Sequence, residues 1–197
     1  MGILIGDVAG KGISASLVMA QAISIFGVLA RTELAGPDLF RQLNNELCKR
    51  LTGRFVTALY VMIDLAARKA TATSAGHGPL LVSRSKEETV VEIALAPNIP
   101  LGLMENIDYS HVSFDLEKQD KFILLTDGVF EARNQQEEEF GIDRIRALMA
   151  KASKRSGRDL LDSLKEALFK FEDTHSQYDD ITMLVIALED KSSAANQ

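Results

Sequence analysis

The chain has one cysteine and three histidines in 197 residues. A lone thiol, Cys48, excludes an intramolecular disulfide and suits a reducing compartment, so a cytoplasmic location is expected. Cys48 sits beside Leu47 and Leu51 in a helical pattern and reads as a packing residue. So few histidine and thiolate ligands leave almost no raw material for zinc. Basic excess is missing too. The 22 Lys and Arg against 28 Asp and Glu leave a net charge of −6, which is a poor footprint for nucleic acid. The loose group Lys151, Lys154, Arg155 and Arg158 reads as a solvated helix surface. No apolar run reaches the ~20 residues of a membrane span. The most apolar stretch, Ala15 to Ala30, is broken by Ser16, Gln21, Ser24 and Gly27 and reads as a buried helix. Met1 is followed almost at once by a strand-like run, without a basic region or cleavage site, so no secretory signal is expected.

What is present is an ordinary globular balance, with 46% apolar and 25% charged residues. The length suits one domain, taken as residues 1–190, with a polar, flexible tail over 191–197. Ile3-Leu4-Ile5 reads as a strand ending at Gly6-Asp7, followed by a turn containing Gly10 and Gly12. Ser14 is expected to cap a helix running to about Arg31, apolar around much of its circumference and so covered on more than one side. Pro37-Asp38 opens a second helix with Leu39, Phe40, Leu43, Leu47 and Leu51 at three- and four-residue steps, ended by Gly53.

From Phe55 the period changes to that of strands. Phe55–Ile63, Ala70–Ser74, Leu80–Ser83 and Val90–Ala94 suggest an antiparallel meander. A loop marked by Pro97, Pro100 and Gly102 leads to strands at His111–Leu116 and Phe122–Thr126. Helices follow at about Ile142–Ser153 and Arg158–Glu172, then a last strand at Ile181–Leu188. Strands and helices in blocks favour an α+β fold over a doubly wound parallel sheet.

Three acidic positions stand out at strand ends. Asp7 follows the first strand, Asp127 follows Phe122-Ile123-Leu124-Leu125-Thr126, and Asp179-Asp180 precede the last strand. Were the last two strands antiparallel neighbours, the end of one and the start of the other would share a sheet edge and their aspartates would converge. Any one of these residues alone is also explained by a turn, and Asp127-Gly128 is a common turn pair. Gathered carboxylates repel and lose hydration, a cost that a bound cation removes. Oxygen-only ligands favour Mg²⁺ or Mn²⁺.

Six short motifs occur in a characteristic order: Gly6-Asp7-Val8-Ala9-Gly10-Lys11-Gly12, Ala75-Gly76-His77-Gly78-Pro79, Pro100-Leu101-Gly102, Thr126-Asp127-Gly128-Val129-Phe130-Glu131-Ala132, Phe140-Gly141 and Asp179-Asp180-Ile181-Thr182. In this the chain resembles SpoIIE-type phosphatases, the bacterial branch of the PP2C-like, metal-dependent serine/threonine phosphatases, along nearly its whole length. The resemblance implies a PP2C-like β-sandwich of mainly antiparallel sheets flanked by helices, in α-β-β-α layers, with a binuclear Mn²⁺ or Mg²⁺ centre. By the same comparison Asp7 bridges the metals, the Val8 carbonyl ligates one, Asp127 and Asp179 hold the other, and Asp180 supports them. The implied reaction is hydrolysis of phosphoserine or phosphothreonine on a regulatory protein of the anti-anti-sigma-factor type, by a metal-activated water.

SpoIIE-type enzymes carry a further acidic motif of the Gly-Gly-Asp type upstream, so the chain reads as N-terminally truncated. That leaves a second reading beside the enzyme, a catalytically weak or inactive phosphatase-fold scaffold. A nuclease or other two-metal hydrolase is the third and fits the acidic surface poorly. Loss of a strand exposes a sheet edge, from which a homodimer is expected. The resemblance also implies a sensor or receiver domain preceding the phosphatase in the parent chain. Ala9 stands where animal PP2C-like enzymes place a histidine, Lys11 is assigned to solvent, and His77 to structural hydrogen bonding.

Overall fold

A computed structural model describes residues 1–51, 53–172 and 179–188. The tail over 191–197 lies outside the described residues. The fold is α+β and comprises two compact units, one of residues 1–78 and 94–115, the other of 79–93 and 116–197.

The first unit contains β1 (Gly2–Val8), α1 (Ile13–Leu29), α2 (Gly36–Cys48), β2 (Val56–Asp64), β3 (Lys69–Ala75) and β6 (His111–Asp115). Its strands form one antiparallel sheet in the order β1-β2-β3-β6. Pro37 sits in the first turn of α2, where its missing N–H costs nothing. The helix lays Leu39, Phe40, Leu43 and Leu47 into a core with Val56, Ala58 and Tyr60 of β2 and with Ala15, Val18 and Ala22 of α1. The loop that precedes β6 is tied back by two asparagines. Buried Asn44 donates to the Met104 carbonyl at 2.7 Å and accepts from the Gly102 N–H at 2.8 Å. Asn98 donates to the Ser74 and Ser110 carbonyls, each at 2.9 Å.

The second unit contains β4 (Leu80–Arg84), β5 (Thr89–Glu92), β7 (Lys121–Leu125), α3 (Asp127–Phe130), α4 (Gly141–Lys151), α5 (Gly157–Glu172) and β8 (Met183–Ala187). Its sheet is antiparallel in the order β5-β4-β7-β8. Leu81, Ile123 and Leu125 point to the helices and pack with Ile145, Met149, Leu160, Leu164 and Leu168. Every residue of β7 is buried, in keeping with the apolar run Phe122-Ile123-Leu124-Leu125 that follows Lys121.

Three expectations are corrected. The strands from Phe55 to Ala94 are not one meander, since the second neighbour of β3 is β6 while β4 pairs with β5 and β7. The chain leaves its first sheet where Ser74 Oγ accepts the His77 N–H at 3.0 Å, and Gly76 takes a φ of +73°. Periodicity marks a strand but does not name its partner. The N-cap of α1 is Gly12, not Ser14, whose hydroxyl instead accepts from Arg54 at 3.0 Å. Nor is α1 covered on more than one side. Ala15, Val18 and Ala22 are buried, while Ile13 is 83% and Val28 68% exposed. Among the described residues no helix is long and apolar enough to cross a membrane.

Candidate functional site

The Asp7 element belongs to the first unit. Asp7 is half-buried near the end of β1 and pairs with Thr57 of β2, and Val8 pairs with Val56. Thr57 Oγ1 lies 3.5 Å from the Asp7 carbonyl, to which it donates, and 3.0 Å from Nδ1 of buried His77. The His77 carbonyl in turn accepts from Ser74 Oγ at 2.8 Å. The expected structural bonding of His77 is therefore seen, and it reaches the strand position opposite Asp7.

Beyond Val8, the backbone is held by a residue that no motif singles out. Arg54 donates through Nη1 to the Ala9 carbonyl at 3.0 Å and through Nη2 to Ser14 Oγ at 3.0 Å. It spans the glycine turn that leads from Asp7 into α1. Gly10 is required there by its φ of +101°, and a Cβ would also displace Arg54 Nη1, which lies 2.5 Å from its position. No local pattern signals such a long-range clamp.

The second unit brings Asp127 together with Asp179-Asp180. β7 and β8 are antiparallel neighbours, with Leu125 opposite Met183, so the end of one strand meets the start of the other. Thr126 fastens this edge with three hydrogen bonds. Its N–H donates to the Thr182 carbonyl at 3.1 Å, its Oγ1 donates to the Asp180 carbonyl at 3.0 Å, and the same oxygen accepts the Thr182 N–H at 2.9 Å. Asp127 is exposed and opens the single turn α3, where its Oδ1 accepts the Gly128 N–H at 3.0 Å. Asp179 Oδ1 accepts the Asp180 N–H at 2.9 Å. Gly128 permits the contact of the two segments, since a methyl group there would collide with the Asp180 carbonyl oxygen.

A further carboxylate joins this edge. Partial burial, then the charges of Asp127, Glu139 and Asp179, push the Glu131 carboxyl above its ordinary range, and Arg133 opposes them. Glu131 is part of the motif after β7, yet the sequence reading gave it no role. A cluster of like charges of this kind is stabilised by a cation. Its donors are all carboxylate oxygens, which fits Mg²⁺ or Mn²⁺. Among the described residues there is no group of three or more His, Cys, Asp or Glu arranged to hold a metal ion.

The fold defines the class of protein. Its likeness to the SiaA-PP2C domain of Pseudomonas aeruginosa has a TM-score of 0.84 at 20% identity, covering 95% of this chain and 76% of that one. A structure of RsbX in complex with magnesium aligns with a TM-score of 0.70 at 19% identity, over 94% of this chain and 80% of that one. The fold is thus PP2C-like. The family model for Stage II sporulation protein E (SpoIIE) matches residues 1–189, and the chain belongs to that family. Phosphoserine phosphatase RsbU of Bacillus subtilis is 28% identical over 187 residues, which are 93% of this chain and 54% of RsbU. The chain therefore spans about half the length of that relative.

Proposed function

We propose that the chain is a metal-dependent protein phosphatase acting on phosphoserine or phosphothreonine of a regulatory protein of the anti-anti-sigma-factor type. The observation that carries this reading is the joining of Asp127 to Asp179-Asp180 at the β7–β8 edge, in a chain of the SpoIIE family. Asp7, the Val8 carbonyl, Asp127 and Asp179 are assigned to hold Mn²⁺ or Mg²⁺, with Asp180 in support. When bound, such ions acidify water and offset phosphate charge. The work of the protein is placement. Thr126 fixes the backbone of Asp180 beside Asp127, and Arg54 fixes the turn that follows Asp7. No side chain is needed as a nucleophile, because water attacks phosphorus. The name of RsbU supports the phosphoserine substrate. A preceding sensor or receiver domain in the parent chain, a cytoplasmic location and a homodimer belong to the same proposal.

The second reading is a weak or inactive scaffold of the same fold. The test is phosphate release from a phosphoserine peptide with Mn²⁺ and with chelator. We expect hydrolysis only with Mn²⁺, and a loss of more than about 100-fold in Asp7→Ala and in Asp127→Ala, since even residues supporting a metal ligand are worth 10 to 100-fold. No metal-dependent release, or full activity in both variants with the fold retained, would refute the enzyme and favour the scaffold.

A further inference from the structure

The second unit carries a groove of about 460 Å³ between α4 and α5, lined by Phe140, Arg144, Ala147, Leu148, Lys151, Ala167, Lys170 and Phe171. Such a volume is within the range of ligand-binding clefts. Phe140, Arg144, Ala147, Leu148 and Lys151 follow one another at helical steps along one face of α4 and the residue before it. The floor is apolar and preformed. Phe140 and Phe171 meet edge to face with ring centroids 5.3 Å apart.

Its rim has one sign of charge. Three of the eight lining residues are cations and none is acidic, in a chain with 28 acidic residues against 22 basic ones. Arg144 is fixed in place. It donates to the carbonyls of Glu139 and Phe140 at 2.8 and 2.7 Å, and its guanidinium carbon lies 4.7 Å from the Phe171 ring centroid. Lys151 and Lys170 are exposed and form no ion pair among the described residues. A groove with an apolar floor and cations at its rim complements a segment with large apolar side chains flanked by carboxylates. That is the pattern of helix-in-groove recognition.

We propose that the α4–α5 groove docks an acidic, apolar-anchored segment of a partner protein, seating the anchors on Ala147, Leu148 and Phe171 and the carboxylates against Arg144, Lys151 and Lys170. This surface is separate from the carboxylate edge, and the proposal stands whether or not the chain hydrolyses phosphate esters.

The test uses the full chain and a fluorescein-labelled helical peptide with Leu along one face and Glu beside it. Fluorescence anisotropy should show saturable binding that weakens with salt. The same peptide with Lys in place of Glu should not bind. Lys151→Glu/Lys170→Glu should raise Kd at least about tenfold, or about 1.4 kcal/mol. Ala147→Trp, which fills the groove without changing charge, should do the same. Circular dichroism melts confirm that both variants fold. Three results would overturn the proposal: no saturable binding of the Glu peptide, affinity unchanged in either folded variant, or tighter partition of the chain onto phosphatidylglycerol vesicles than onto the peptide.

Discussion

Gly128→Ala sets two effects of opposite sign against each other. In a helical turn, alanine is favoured over glycine by up to about 1 kcal/mol. Here, however, the new methyl would collide with the Asp180 carbonyl oxygen, and it would lie 3.1 Å from the Asp180 carbonyl carbon and 3.4 Å from that of Asp179. These are backbone atoms, so no side chain can swing aside. Overpacking of this kind costs about 1–3 kcal/mol. Moving Asp180 also disturbs the bond from Thr126 Oγ1, which contributes about another 1 kcal/mol. After subtracting the propensity gain, the net loss is roughly 1–3 kcal/mol, or about 2–12 °C in Tm for a chain of this size. Gly27→Ala is the control. It lies in α1 with nothing within 4 Å of an added Cβ, and should gain up to about 1 kcal/mol. The assays are thermal melts by circular dichroism and Mn²⁺ titration by calorimetry, where Gly128→Ala should also bind the ion more weakly because Asp127 and Asp179 are forced apart. If Gly128→Ala proves as stable as the parent, the argument from close approach fails.

Three further outcomes are expected. Arg54→Ala loses the bonds to the Ala9 carbonyl and Ser14, so amide exchange over residues 9–14 should quicken, and Arg54→Lys should not restore it because a point charge cannot bridge both acceptors; unchanged exchange would refute the clamp. Asn44→Leu leaves the Gly102 N–H and Met104 carbonyl unpaired and should cost about 2–4 kcal/mol in urea denaturation; a loss within error would show that water replaces both bonds. Hydrogen bonds from Lys49 and then Arg50 hold the Glu46 carboxyl well down, at about 2 against an ordinary 4.5. Because the folded value is the lower one, its contribution is present above about pH 4.5 and lost as pH falls through about 2. A carbon-detected NMR titration should place the midpoint near 2 at low salt and move it upward at high salt, and a midpoint near 4.5 at low salt would refute the pairing.

What the sequence made legible was local. The helix of Leu39, Phe40, Leu43 and Leu47 and the buried run of β7 announce themselves by period and composition. The meeting of Asp127 with Asp179-Asp180 was legible only on condition that the last two strands pair antiparallel, a condition that β7 and β8 meet. The division of the eight described strands between two sheets was not open to inference, since the local pattern of β3 or β4 does not name its partner strand. Arg54 escaped notice for the same reason, because its acceptors lie 45 and 40 residues away. Glu131 was visible as a letter in a motif, but its electrostatic surroundings depend on Asp179, which only the folded chain brings near. The exposed apolar face of α1 reverses an inference from composition, because mean hydropathy cannot tell a covered face from a bare one.

The carboxylate edge also explains why a threonine stands at position 126. Its neighbour on one side, Leu125, is 1% exposed, while Asp127 on the other is open to solvent, so the chain passes from core to charged rim across this single residue. Like charges at Asp127, Glu131 and Asp179 drive their side chains apart. The Thr126 hydroxyl opposes that separation by holding Asp180 and Thr182 of the facing segment at once, as donor to one and acceptor from the other. Serine could make both bonds but would leave the methyl position empty in a residue only 3% exposed. Valine would fill the volume but leave the Asp180 carbonyl and the Thr182 N–H without these bonds. Repulsion can then act on exposed carboxylates while the backbone that carries them stays fixed, which is the arrangement a cation site needs before the cation arrives.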